Sequence, residues 1–205
     1  MSVKMSVNGT QGAILDAASR LFASKGYDAV SMRDVAAEVG VTPANLYHHF
    51  KDKEHLVREA LTHVFAEKIS PMESVLREPK SPEEKFEAFV AWFVHLLTDD
   101  EVFSRLLIRE LLDGDGDHLE YLAKTVLKRP FALVTNVTTE YGTRAHPVLS
   151  SVSVVGVILG HVLLSRVLPH LPGGRAEYAD PTVITRHVLG VLRHAFKDES
   201  NGKSA

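Results

Sequence analysis

The sequence has 205 residues, of which 45% are hydrophobic and 24% are charged, and it contains no cysteine. This length and composition are typical of a folded globular protein with one or two domains, and they exclude a disordered or fibrous chain. Without cysteine, disulfide scaffolds, cysteine nucleophiles and thiolate metal sites are excluded. The formal net charge of −3 excludes binding to nucleic acid through overall positive charge, but it leaves room for a local basic surface.

The N-terminal residues are polar and lack the apolar segment of a secretory signal, so we expect a cytoplasmic protein. Residues 148–168 are mostly apolar and close in length to a membrane-spanning helix. His161 and Arg166 within this segment would be costly in hydrocarbon. A buried helix therefore fits the segment better than a membrane span, and we expect no membrane partner.

Apolar residues recur with helical spacing almost throughout, which predicts an all-α fold of about nine helices, the first three of them short. Ser31 and Asp34 form the capping signal of the second helix, and Gly40 suits the left-handed residue that ends it. Thr42 is the N-cap of a third, brief helix over about residues 43–49.

Longer helices follow. Asp52 caps the fourth helix, and the signal at residues 70–73 predicts that the chain restarts or kinks there. Residues 118–140 are expected to form one helix kinked at Pro130. The last two long helices are predicted over residues 147–168 and from residue 181 onward.

Two short helices joined by Gly40 and Val41 are typical of a helix-turn-helix, whose second helix enters the major groove of DNA. The third helix carries small and short hydrogen-bonding groups that can approach base edges, and ring groups that can donate to phosphate. The residues predicted to contact DNA are Ser31, Arg33, Thr42, Pro43, Ala44, Asn45, Tyr47, His48 and Lys53. The alternative is that the helix pair serves only for packing.

The stretch from Ser31 to Leu56 resembles the DNA-binding signature of the TetR family of transcriptional repressors. The segments Leu21-Phe22 and Gly26-Tyr27 resemble the family's lead-in, so the resemblance covers about residues 10–57. It implies a helix-turn-helix DNA-binding domain at residues 1–55 and an effector-binding and dimerisation domain at residues 56–205.

The same resemblance assigns roles within the third helix. It implies that residues 42–45 face bases or nearby phosphates, that Tyr47 and His48 contact the DNA backbone, and that His49 also touches phosphate. Lys53 matches a lysine at the head of the family's fourth helix. Many members carry Ser-Lys/Arg-Gly or Ser-Gly-Thr in the recognition helix, where this chain has Thr-Pro-Ala-Asn at residues 42–45. We therefore expect fewer direct base contacts here and a larger role for DNA shape.

The resemblance further implies a homodimer in which the last two long helices of each protomer form a four-helix bundle. The sequence supports this independently, because small residues recur on one side of the long apolar helix. The residues predicted for the interface are Ser153, Gly156, Gly160, Leu164, Ile184, Val188, Val191 and Ala195. The alternative is that both helices pack only within their own protomer.

A small-molecule effector pocket is also implied by the resemblance. The middle helices supply aromatic side chains with a few polar ones among them, which suits an apolar or amphipathic ligand. The candidate pocket residues are Phe89, Trp92, Phe93, His95, Phe103, Arg109, Tyr121, Phe131 and His161. Each of them taken singly is equally compatible with a core or surface position.

The sequence contains no nucleophile-elbow, phosphate-loop, dinucleotide-binding or zinc-protease motif, so we expect no enzyme, no catalytic residue and no cofactor. Residues 113–117 begin like a calcium loop, but His118 and Lys124 stand where glycine and glutamate are needed, so we expect no metal site. The function predicted is a dimeric repressor released from palindromic double-stranded DNA by an effector. The alternatives are a transcriptional activator and a helical adaptor that no longer binds DNA.

Overall fold

The computed structural model describes residues 7–113, 116–142 and 146–201, and all regular structure in these ranges is helical. This confirms the all-α prediction, with ten α-helices in the described ranges instead of about nine. In chain order they are α1 (Val7–Lys25), α2 (Met32–Val39), α3 (Pro43–His49), α4 (Lys53–Leu76), α5 (Pro82–Asp99), α6 (Glu101–Asp113), α7 (Gly116–Tyr121), α8 (Lys128–Tyr141), α9 (Pro147–Ser165) and α10 (Pro181–Asn201).

The described residues divide into two compact units. The first comprises residues up to 68 together with 102–127, and the second comprises residues 69–101 together with those from 128 onward. The functional boundary between residues 55 and 56 stays a prediction, because the first unit extends beyond it into α4 and takes in most of α6.

In the first unit, α2 packs against both α1 and α3. The shared core includes Ile14 and Phe22 from α1, Val35 from α2, and Leu46 and Phe50 from α3 and its C-cap, all of them buried. Burial of these apolar side chains is what holds the three short helices in a fixed arrangement.

The local signals between α2 and α3 work as predicted. The Ser31 hydroxyl accepts a hydrogen bond from the Asp34 backbone N–H, and the Asp34 carboxylate accepts one from the Ser31 backbone N–H. Gly40 ends α2 in the left-handed region with φ of 74°. Thr42 then caps α3 by accepting from the Asn45 N–H at 3.2 Å.

The sequence predicts that the chain restarts or kinks at residues 70–73. The restart is wrong, because α4 continues through Pro71 to Leu76. Pro71 removes the N–H that would bond the Glu67 carbonyl, but Pro71 is exposed, so water can solvate that carbonyl. Ile69 and Met72 on either side are buried, and their packing holds the helical course.

The single helix predicted over residues 118–140 is also wrong. After α7 the chain forms a π-helical segment over Leu122–Val126, and the Leu127 N–H donates to the Leu122 carbonyl at 2.8 Å. Helix α8 then starts at Lys128 and places Pro130 in its first turn. Proline is tolerated there because the first N–H groups of a helix have no intrahelical acceptor.

In the second unit, α5 is the central element and packs against α8, α9 and α10. Its N-terminus carries the capping box of Ser81 and Glu84, and six of its apolar residues are buried. Phe86 of α5 stacks on Tyr141 of α8 at 4.2 Å between ring centroids, and Phe196 of α10 meets Phe86 edge-on at 6.0 Å. Aromatic packing therefore joins three of these helices.

Candidate nucleic-acid interface

Helix α3 has one buried and one exposed side. Leu46 and the C-cap Phe50 are fully buried, whereas residues 42–45, Tyr47 and His48 are exposed and His49 is half-buried. The Tyr47 side chain is 55% exposed, which is unusual for a ring of this size without a partner surface. All six residues of α3 predicted to meet DNA, and their N-cap Thr42, are therefore accessible to some degree.

The N-cap of α3 retains hydrogen-bonding capacity. Thr42 uses its side-chain oxygen as an acceptor from the Asn45 N–H, so the hydroxyl proton stays available to a phosphate oxygen. The capping bond also fixes the backbone at the point where α3 would approach DNA.

Ser31, at the start of α2, is less available than predicted. Its hydroxyl donates to the Asp34 carboxylate at 2.6 Å, and these hydrogen bonds from Ser31 lower the pKa of Asp34. A phosphate contact by Ser31 would require the hydroxyl to change partner next to a carboxylate. The exposed Arg33 is thus the stronger candidate at this end of α2.

Lys53, the first residue of α4, lies over the ring of Tyr27, with 3.9 Å between the ammonium nitrogen and the ring centroid. Burial raises the pKa of the Tyr27 hydroxyl, and the nearby carboxylates of Glu54, Asp28 and Asp52 raise it further. Tyr27 therefore stays neutral and supports the lysine by a cation–π contact. Sequence reasoning assigned Tyr27 to the family's lead-in but gave it no role.

The start of α4 is held by two capping hydrogen bonds. Asp52 accepts from the His55 N–H at 2.8 Å, as its predicted capping role requires, and His55 Nδ1 accepts from the Lys51 N–H at 3.2 Å. These bonds order the turn that carries Lys51 and Lys53, next to a helix N-terminus that favours anions. Sequence reasoning missed the contribution of His55, because it depends on which ring nitrogen faces the turn.

The predicted effector residues are divided between the two units. Three of them lie in the first unit. The Phe103 ring packs on the Phe65 ring with 4.8 Å between centroids, and Arg109 lies against Gly26. The Arg58 guanidinium lies over the Tyr121 ring. The others belong to the second unit.

Within the second unit, the Phe89, Trp92 and Phe93 rings pack on one another with centroids 5.8 to 6.0 Å apart, and Phe89 and Phe93 are buried. His95 is exposed beside Asp99, and His161 contacts the Val157 carbonyl. These contacts are those of core and surface residues. They give no indication of a shared pocket.

The second unit does contain a cleft of about 310 Å³. Its lining residues come from the end of α4, the start of α5 and the length of α8, and they are Glu73, Leu76, Arg77, Lys85, Arg129, Ala132, Leu133, Asn136, Val137 and Glu140. None of the nine predicted pocket residues is among them. Arg129 contacts Glu73 at 2.7 Å and Lys85 contacts Glu140 at 3.2 Å. With Arg77, the lining of the cleft has three cations and two carboxylates.

The prediction for the dimer interface needs a correction. Ile184 and Val188 are buried within the protomer, so they belong to its own core and present no surface to a partner. The other predicted interface residues are exposed or half-exposed on α9 and α10: Ser153, Gly156, Gly160, Leu164, Val191 and Ala195.

Helix α9 is long and apolar enough to cross a membrane by length and composition, and only 22% of its most apolar window is buried. Its large exposed apolar side chains are Val148, Leu149, Val152, Leu163 and Leu164. The buried helix predicted for this segment is therefore wrong as far as one protomer is concerned. An apolar surface of this size indicates that something else covers it.

The fold and the exposed α3 define an all-α protein with an N-terminal helix-turn-helix domain. Residues 14–60 match the family model described as bacterial regulatory proteins, tetR family. Over these residues the chain is similar to the DNA-binding domain of the TetR family of helix-turn-helix regulators.

Curated relatives match about a quarter of the chain. The transcriptional repressor KstR2 of Mycobacterium tuberculosis is 42% identical over 55 residues, which are 27% of this chain and 28% of KstR2. The negative transcriptional regulator IcaR of Staphylococcus epidermidis is 36% identical over 52 residues, 25% of this chain and 28% of IcaR. The chain thus matches less than a third of the length of these relatives.

Among solved structures, the transcriptional regulator FadR from Bacillus subtilis, determined in complex with stearoyl-CoA, has a TM-score of 0.72 at 20% sequence identity. The similarity covers 88% of this chain and 96% of FadR. At this coverage the common fold includes most of the second unit.

Proposed function

We propose that the protein is a cytoplasmic, dimeric transcriptional repressor that binds operator DNA through α3 and is released by a small-molecule effector. The observation that carries the proposal is the exposed side of α3, where hydrogen-bonding and small groups stand on a helix anchored by Leu46 and Phe50. KstR2 and IcaR, which are similar to this chain over 55 and 52 residues, are described as a repressor and a negative regulator.

The DNA-binding role is assigned to residues 1–55, and the effector and dimerisation roles to residues 56–205. In this scheme residues 42–45 approach base edges, while Tyr47, His48 and His49 contact the backbone. Arg33 and Lys53 supply the positive charge that a chain of net charge −3 needs locally.

A second copy of the chain is the proposed cover for the exposed side of α9 and α10. Leu164 and Val191 supply apolar surface, and Gly156 and Gly160 allow close approach of helices. A two-fold dimer presents two α3 helices to a palindromic site, at the spacing of about 34–36 Å that one turn of DNA requires. Arg166, at the C-terminal end of α9, would be costly in a membrane and therefore favours a protein partner.

We place the effector in the cleft of the second unit. Leu76, Leu133 and Val137 are among its lining residues, and its cations exceed its carboxylates by one. These features favour a ligand that has an apolar portion and an anionic group. The FadR structure with stearoyl-CoA supports effector binding in a protein of this fold.

Selection of bound duplexes from random DNA by the purified full chain tests the proposal. We expect enrichment of sequences with two symmetric half-sites, and loss of enrichment for Ala44→Glu, which places a negative charge on the exposed side of α3. Ala176→Glu, at an exposed position of the second unit, is the matched control and should select the same sequences. Failure of the unaltered chain to enrich any sequence at low salt would contradict the proposal.

A further inference from the structure

Helices α1 and α4 bring a histidine and two carboxylates together in the first unit. Asp16 of α1, and His63 and Glu67 of α4, each offer one ligand atom, and these three atoms lie within 4.8 Å of one another. His63 Nε2 and Asp16 Oδ1 are already 3.1 Å apart, although the two residues are 47 positions apart in the sequence. All three side chains are at least one-third exposed, so an ion and its water ligands can reach them.

The donor set is that of a metal site for a borderline divalent ion. His63 and Glu67 are four residues apart on α4 and therefore share a face of the helix. A tetrahedral zinc ion bonds His nitrogen and carboxylate oxygen at about 2.0–2.2 Å, which places neighbouring donor atoms about 3.4 Å apart. The 3.1 Å Asp16–His63 spacing is close to this value, and because the three donor atoms lie within 4.8 Å of one another, the Glu67 carboxylate needs to move by at most about 1.4 Å.

We propose that Asp16, His63 and Glu67 bind a divalent first-row transition-metal ion, with Zn²⁺ as the reference ion and water in the remaining position. Bound metal joins α1 to α4 across the long stretch of sequence between them. Because the unfolded chain does not hold these ligands together, the ion stabilises the folded first unit by mass action. This site is separate from α3 and does not depend on the proposed function.

Two other histidine–carboxylate pairs with the same helical spacing show what distinguishes this site. His95 and Asp99 approach to 3.2 Å, and His55 and Glu59 approach to 3.9 Å. Within the described ranges neither pair gains a third ligand, and the Asp16 group is the set of three that can meet one ion.

The Asp16 and Glu67 carboxylates favour a cation, whereas a neighbouring lysine opposes one. The Lys68 ammonium lies 3.2 Å from a Glu67 oxygen, so this carboxylate already attracts positive charge and must exchange a surface ion pair for the metal. Such exposed pairs contribute little, so their loss opposes metal binding only weakly.

Titration of the metal-free full chain with ZnCl₂, followed by calorimetry, tests the proposal. We expect one strongest site per protomer, weakened at least tenfold in Asp16→Asn and also in Glu67→Gln. Asp99→Asn, which removes the carboxylate of a two-residue pair, is the matched control and should leave that affinity unchanged.

Thermal unfolding supplies a second readout. Zn²⁺ at a hundredfold excess over its dissociation constant should raise the melting temperature by about 5 °C, and this rise should disappear in Asp16→Asn. Wild-type zinc affinity in both Asp16→Asn and Glu67→Gln would show adventitious binding to other surface histidines and would overturn the proposal. Absence of binding to the unaltered chain would do the same.

Discussion

The ammonium nitrogen of Lys53 lies 3.9 Å from the centroid of the Tyr27 ring, which connects the first residue of α4 to the segment that follows α1. The contact keeps a positive charge at the N-terminus of α4, where the helix dipole also favours an anion. A phosphate placed here would meet both a cation and the positive end of the helix dipole.

Lys53→Ala should therefore weaken binding to all DNA sequences by a similar factor and lower the slope of log affinity against log salt by about one. Fluorescence anisotropy over a series of KCl concentrations measures both effects. Lys80→Ala, in the loop before α5, is the control and should change neither. An unchanged salt slope in Lys53→Ala would exclude Lys53 from the phosphate contacts.

Tyr47→Phe removes one hydroxyl from a side chain that is 55% exposed, so folding should be unaffected. If the hydroxyl donates to phosphate, its loss should cost about 1 kcal/mol, or roughly a fivefold drop in operator affinity. Tyr178→Phe, at an exposed tyrosine of the second unit, provides the comparison. Equal operator affinities for the two variants would show that the Tyr47 hydroxyl does not donate a hydrogen bond to DNA.

Gly40 adopts φ of 74°, and a Cβ there would meet no atom within 4 Å. Gly40→Ala should thus destabilise the protein by backbone strain alone, by about 1 kcal/mol. Gly12→Ala is the matched change, because Gly12 lies inside α1 with similar open space and should stabilise by up to about 1 kcal/mol. Urea unfolding of both variants checks the two opposite signs.

The capping box of α2 predicts a specific pH dependence. Side-chain and backbone hydrogen bonds from Ser31 lower the pKa of Asp34, so the ionised carboxylate is favoured in the folded state. The stabilisation is present above the unfolded pKa of 3.8 and is lost as pH falls through the folded value. Ser31→Ala should raise the Asp34 pKa toward 3.8 in an NMR titration, whereas a titration curve unchanged from wild type would contradict the capping role.

Leu164→Glu should convert the proposed dimer to monomer, because it introduces a charge into the surface that α9 would bury. Leu164 is 59% exposed in the protomer, so the fold should survive. Leu112→Glu, at a leucine of α6 that is 77% exposed, tests whether any added charge has this effect. Sedimentation velocity reports the mass of the particle. A dimer that persists in Leu164→Glu would show that the dimer interface lies elsewhere.

The helices around the candidate interface could be predicted from sequence because their boundaries are set by neighbours in the chain. The Ser31 cap, the left-handed Gly40 and the Thr42 cap each act within four residues, and the structure has all three as expected. Pro71 and the break after α7 were misread for the opposite reason. Packing and solvent access decide whether a proline or an unusual turn is tolerated, and local sequence does not show them.

Contacts between side chains of elements that are distant in the sequence could not be predicted from the sequence. Helical periodicity placed Ile184 and Val188 on one face but did not show that this face packs within the protomer. The approach of Asp16 to His63 likewise depends on how α1 and α4 pack. Aromatic composition predicted a pocket lined by rings, whereas several of these rings are buried in the cores and the cleft is lined by charged and apolar residues of α4, α5 and α8.

Amide hydrogen exchange of the full chain, with and without a selected DNA duplex, tests the central proposal most directly. The account predicts that DNA slows exchange over residues 42–49 and at the starts of α2 and α4. DNA binding accompanied by unchanged exchange throughout residues 42–49 would contradict it.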